Sequence, residues 1–125
     1  LSSGRLLMIN HYKFSHRIDL DDIMRQGNVK RWKGRSHLTA MLSEDDGATW
    51  PYTLLLDERD EVSYPDAKEA DDGYIYVTYD HQRVTKREIL MARFTEQDIL
   101  SGRLQSSRSA LRILVNKALG QPNIH

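Results

Sequence analysis

The sequence predicts an all-β chain: antiparallel sheets built from short strands, with one short helix near residues 96–101. Three observations carry this. Short β-runs recur along the chain, each bounded by turn residues. Two of the turns, Glu44-Asp45-Asp46-Gly47 and Asp71-Asp72-Gly73, have hairpin chemistry. The run Tyr74-Ile75-Tyr76-Val77-Thr78-Tyr79 has the aromatic and β-branched composition of a half-buried strand.

Each element follows in order. Leu1 to Arg5 reads as a turn and Leu6 to His11 as the first strand. Ser15 to Lys33 is a charged stretch in which Asp19 to Arg25 makes one or two helical turns, capped by Asp19 or Asp21. Ser36 to Leu42 alternates Leu38, Ala40 and Leu42 against His37, Thr39 and Met41. Tyr52 to Leu56 follows the first acidic turn as a strand. Val62 to Ala70 is extended, with Pro65 removing one ladder donor. Tyr74 to Tyr79 and Glu88 to Phe94 are the next strands. Thr95-Glu96-Gln97-Asp98 then reads as an N-cap and first helical turn, and Gly102 as the stop. In the tail, Leu111, Ile113 and Val115 alternate as in a strand, although Leu111, Leu114, Val115 and Ala118 also fit a helix. The β-branched residues favour the strand. Regularly spaced short strands fit a sandwich or propeller blades, and a motif is needed to choose.

Composition narrows the function. The chain has 125 residues, a length that suits one domain. With 18 Lys+Arg against 18 Asp+Glu it lacks the basic footprint of a nucleic-acid binder or a polybasic membrane anchor. With no cysteine there is no disulfide framework, thiolate zinc site or cysteine nucleophile, although no compartment follows from this. No apolar run approaches the roughly 20 residues of a membrane-spanning helix. Leu1 to Asn10 carries no charged n-region or cleavage site of a signal peptide. The five histidines show no H-x-x-H or H-E-x-x-H spacing, and neither acidic turn has the ligand spacing of a calcium loop. No metal site is therefore expected.

The deciding motif is Ser43-Glu44-Asp45-Asp46-Gly47-Ala48-Thr49-Trp50, which fits Ser-x-Asp-x-Gly-x-Thr-Trp. Its physics is local: Asp45 can accept backbone N–H groups across the turn, Gly47 supplies a positive φ, and Trp50 packs under the hairpin. This is the Asp-box, and with it the chain resembles the sialidase (neuraminidase) family with BNR repeats. Gly34 to Leu42 leads into the box, Val62-Ser63-Tyr64-Pro65-Asp66-Ala67 follows it, and then come the Asp72-Gly73 hairpin with its strand to Asp80 and Glu88 to Thr95. Their order is similar to the C-terminal part of that family.

The resemblance implies about two blades of a six-bladed β-propeller, each blade an antiparallel four-stranded sheet. Residues 1–125 would be the C-terminal part of a longer protein, an expectation that the start at Leu1 without a polar lead-in suits. The box residues Ser43, Asp45, Gly47, Thr49 and Trp50 would be structural, away from the active site. Arg35 matches the third member of the arginine triad that clamps the substrate carboxylate. Tyr64 matches the tyrosine nucleophile, a phenol that family members activate with a glutamate. Pro65-Asp66 stands where well-characterised members have serine and another small residue, so Tyr64 reads as either nucleophile or substrate-lining tyrosine. Asp66 and Arg83, the latter in the loop Asp80-His81-Gln82-Arg83, are candidate ligand contacts, with a solvated polar loop as the alternative for Arg83.

The remaining catalytic groups of the family, two arginines, the acid/base aspartate and the activating glutamate, have no counterpart here. The expected function is thus part of a glycoside hydrolase acting on sialic acid or a related acidic sugar, inactive as this isolated chain. The alternatives are a non-catalytic carbohydrate-binding module and a structural β-module. The expected partner is a glycan or acidic-sugar ligand, with self-association through open blade edges as a second possibility. No metal or organic cofactor is implied. A secreted or periplasmic location would suit a longer bacterial parent.

Overall fold

The structure, a computed structural model, describes residues 1–11, 36–82 and 87–117. Strands β1 (Leu6–His11), β2 (Leu38–Ser43) and β3 (Tyr52–Asp57) form an antiparallel sheet in the order β1-β2-β3. Strands β4 (Val62–Glu69), β5 (Ile75–His81), β6 (Glu88–Phe94) and β7 (Ala110–Lys117) form a second antiparallel sheet in sequence order. Helix α1 (Glu96–Ser101) lies between β6 and β7. The all-β expectation holds. The second sheet has the expected four strands, whereas the first has three among the described residues. The helical turn expected over Asp19 to Arg25 lies outside the described residues.

Two-residue alternation decides which face each strand buries. In β5, Ile75, Val77, Tyr79 and His81 are buried while Tyr76, Thr78 and Asp80 are not. Register carries the pattern across the sheets: Val77 pairs with Ala92 and Tyr79 with Leu90 in β6, while Ala40 pairs with Leu54 across β2 and β3. The inward faces of the two sheets make one core of Leu38, Ala40, Leu42, Leu54, Leu56, Val62, Ile75, Val77, Tyr79, Leu90, Ala92 and Phe94, with Ile99 of α1. Burying a Val, Leu, Ile or Phe side chain contributes about 1.5–3 kcal/mol, so this shared apolar layer holds the two sheets together.

Polar groups brace the same junction. Asp57, at the end of β3, is fully buried; it accepts from the Tyr79 hydroxyl at 2.8 Å and from the Arg59 guanidinium at 2.7 and 2.9 Å. Burial alone would push the Asp57 carboxyl up, but the Arg59 and Tyr79 hydrogen bonds prevail and hold it below its ordinary value. Burial and the same carboxylate push the Tyr79 hydroxyl up, so it stays a proton donor.

Helix α1 shows how local sequence fixes an element. Thr95 caps it: its hydroxyl accepts from the Asp98 N–H at 3.1 Å, and the Asp98 carboxylate accepts from the Thr95 N–H at 2.9 Å, a reciprocal capping box. Gly102 ends it at φ 76°, a left-handed conformation that costs glycine little. The buried Asp98 also accepts from the Gln105 N–H and the Ser109 hydroxyl, folding the rest of the β6–β7 connection over the helix.

Candidate functional site

The strands have two ends, and each carries a different set of predicted residues. At one end lies the β2–β3 hairpin with the Asp-box. Ser43 donates to Asp45 Oδ1 at 2.7 Å, and its hydroxyl accepts from the Gly47 N–H at 2.8 Å. Asp45 accepts from the Thr49 N–H at 2.8 Å and from the Thr49 hydroxyl at 2.5 Å. These bonds, led by those from Thr49, draw the Asp45 carboxyl down to about 2. Gly47 sits at φ 92°, and the Trp50 indole N–H donates to its carbonyl at 3.2 Å. The side chains of Ser43, Asp45, Thr49 and Trp50 bond within the turn itself, and these bonds hold its shape.

Around the hairpin, contacts tie the two sheets together. Arg5 bridges Glu44 of the box at 2.9 Å and Glu96 of α1 at 2.8 Å, and Glu69 at the end of β4 accepts from the Ser2 N–H at 2.7 Å. The hydrogen bonds from Arg5 and from Tyr52 hold the Glu44 carboxyl below its ordinary value.

The opposite end differs in backbone as well as in residues. Here meet the end of β1 at His11, the start of β2 after Ser36 and His37, the β3–β4 link, the start of β4, and the facing ends of β5 and β6. Seven non-glycine residues among those described have positive φ, and five stand at this end: His37 (54°), Glu61 (60°), Tyr64 (54°), Gln82 (48°) and Arg87 (53°). Each such conformation costs on the order of 1–3 kcal/mol and persists only where the surroundings enforce it. That clustering distinguishes this end from the hairpin end, where Asp46 in the box is the corresponding residue.

Tyr64 is the most distinctive member. Ser63 pairs with Asp80 and Asp66 with Thr78, so one extra residue is inserted into β4 between them. This β-bulge re-aims the chain at Tyr64 and Pro65. Because proline also disfavours helical conformations of the residue before it, the left-handed Tyr64 is doubly constrained. Tyr64 is 58% exposed. Asp66, two positions on along the same edge strand, is exposed and pairs with Thr78 of β5.

Nearby bonds fasten this end. The Gln82 N–H donates to the Glu61 carbonyl at 2.9 Å, and the Gln82 carbonyl accepts from the Arg87 N–H at 2.8 Å. His81, buried, lies 2.7 Å from Glu88. His11 Nε2 lies 2.7 Å from the Val62 carbonyl, and His37 Nδ1 lies 3.0 Å from the Ser36 hydroxyl.

Of the predicted site residues, Tyr64 and Asp66 therefore stand on one strand at the strained end. Arg35 and Arg83 lie outside the described residues, although their neighbours Ser36 and Gln82 are at this end. The box residues lie at the other end, on the β2–β3 hairpin. The remaining tyrosines serve the sheet: Tyr74 bonds Ser106, Tyr76 bonds Asp72 at 3.0 Å, and Tyr79 belongs to the core. Among the described residues, no group of three or more His, Asp and Glu side chains is arranged to hold a metal ion.

Residues 1–77 match the model of a family described as the BNR repeat-like domain. The chain belongs to the BNR repeat-like family. The match runs from β1 into β5 and so includes both the Asp-box hairpin and the bulged Tyr64. No curated protein and no solved structure matches the chain.

Sequence reading of this BNR repeat-like chain missed two features. His11 and the Asp57–Tyr79 pair join residues 51 and 22 positions apart, and no motif announces them. The only signal for Asp57 is a carboxylate closing the apolar run Leu54-Leu55-Leu56.

Proposed function

We propose that this chain is part of a sialidase-like glycoside hydrolase acting on sialic acid or a related acidic sugar, with its two sheets as adjacent blades of a propeller. In this reading Arg35 clamps the sugar carboxylate by a bidentate charged hydrogen bond, and Asp66 and Arg83 contact the same ligand. Tyr64 attacks or stabilises the anomeric carbon; a neutral phenol approaches an anionic sugar without the repulsion a carboxylate nucleophile would meet. The observation that supports this best is the bulged, left-handed, exposed Tyr64 at the strained end, in a chain of the BNR repeat-like family. A non-catalytic carbohydrate-binding module is the second reading. It is favoured by Pro65-Asp66 after the tyrosine.

Titration of the chain with a sialic-acid analogue, followed by NMR, tests the binding both readings share. The expected result is saturable shifts at Tyr64 and Asp66. Arg35→Ala should weaken the affinity about 10- to 100-fold, the scale of a lost hydrogen bond to a charged group. Absence of any shift at these residues in the folded protein would overturn both. A fluorogenic sialoside should not be cleaved by the isolated chain, which lacks counterparts of the acid/base aspartate and the activating glutamate. Cleavage would refute the assignment of those roles to residues beyond it.

A further inference from the structure

The two carbonyls that lead into Tyr64 are pinned from opposite directions. The Glu61 carbonyl accepts the Gln82 N–H at 2.9 Å, from the β5 side of the edge strand. The Val62 carbonyl lies 2.7 Å from His11 Nε2, which comes from β1 of the other sheet. Strand β4 is the edge of its sheet, and a carbonyl on an open edge has no ladder partner of its own. The His11 ring supplies that partner, and it does so two residues before the left-handed Tyr64 and one before the bulge begins at Ser63.

We infer that His11 is a positioning residue for Tyr64: its Nε2–H donates to the Val62 carbonyl and so fixes the strand from which the bulged tyrosine projects. The inference rests on the proposed role of Tyr64, and it adds a residue that neither the Asp-box nor the arginine clamp requires. The geometry sets the tautomer, because a carbonyl can only accept and Nε2 must therefore carry the proton. The bond also joins β1 to the start of β4, although the two strands belong to different sheets. Without the bond, the β4 edge at Val62 is free to relax, and a backbone conformation that is costly by itself loses a restraint.

NMR on the intact chain tests this apart from any ligand. In the native protein, nitrogen shifts of His11 should report the Nε2–H tautomer, with a coupling across the hydrogen bond to the Val62 carbonyl. Loss of that coupling in a well-folded sample would overturn the inference without any variant. In His11→Ala the Tyr64 ring signals, assigned through Tyr64→Phe, should shift or broaden while the methyl signals of Leu42 and Val77 stay in place. His11→Gln, whose amide nitrogen can occupy the place of Nε2, should restore them. Unchanged Tyr64 signals in folded His11→Ala, or no restoration in His11→Gln, would refute the role. With the sialic-acid analogue, His11→Ala should weaken binding by about twofold or more when Tyr64 is present and not at all in the Tyr64→Phe background. An equal loss in both backgrounds would mean that His11 does not act through Tyr64. If the native chain binds no analogue, the functional reading fails, while the Tyr64 signals still decide the positioning role.

Discussion

Asp45 shows how much one carboxylate can do without burial. It is exposed, yet it collects the Thr49 N–H, the Thr49 hydroxyl and the Ser43 hydroxyl within a single turn. Its carboxyl titrates near 2 in the fold against an ordinary value of 3.8. A depressed folded-state value means that the charged form is the one the fold favours. The stability Asp45 contributes is therefore whole above about pH 4 and disappears as the pH falls through 2. Asp45→Ala should lower the melting temperature at pH 7, and the gap from the native protein should narrow between pH 4 and pH 2. Thermal unfolding followed by circular dichroism across that range checks it; a gap that stays constant would show that the charge is not what holds the turn. Tyr64 illustrates the contrary case at the same scale. Its left-handed backbone sits in a bulge whose register is set by pairing with β5, a strand more than ten residues further along the chain.

Elements in this chain differ in how locally they are decided. Helix α1 has only six residues, too few to persist by propensity, so its caps and its contact with the core carry it. Thr95→Ala removes one half of the capping box and should cost about 1 kcal/mol, read as a shift in the denaturant midpoint with an unchanged slope. A cost near zero would mean that Asp98, through Gln105 and Ser109, holds this connection by itself. The cap, the glycine stop and both acidic turns were legible in the sequence because their bonds span only a few residues. The bulge in β4 was not. Pro65 announced a missing ladder donor, but whether the strand ends, bends or bulges there depends on the register it makes with β5.

Across the whole molecule, the buried Asp57 is one of the points where the two sheets are joined. Asp57→Ala leaves the buried Tyr79 hydroxyl unsatisfied and takes the acceptor from the partly exposed Arg59, so it should destabilise by about 2–4 kcal/mol. Tyr79→Phe removes one hydrogen bond while keeping the ring in the core, and should cost only about 1–2 kcal/mol. Chemical denaturation of the two variants tests the order. Equal losses would show that the tyrosine hydroxyl, not the Arg59 pair, satisfies the carboxylate.

By itself the sequence determined the strands, their turns, the capped helix and the Asp-box, because alternation, caps and turn chemistry act within a few residues. It also supplied Tyr64 and Asp66 as candidates through the order of their motifs. Only the tertiary structure decided which strands share a sheet, which face of β5 Tyr79 occupies, and that His11 meets Val62 across the sheets. Only it showed that five of the seven left-handed non-glycine residues described gather at the end where Tyr64 stands. The physical reason is register. A one-residue slip changes which side chains meet across sheets without changing the composition of any strand, so such meetings are fixed by packing and not by local pattern.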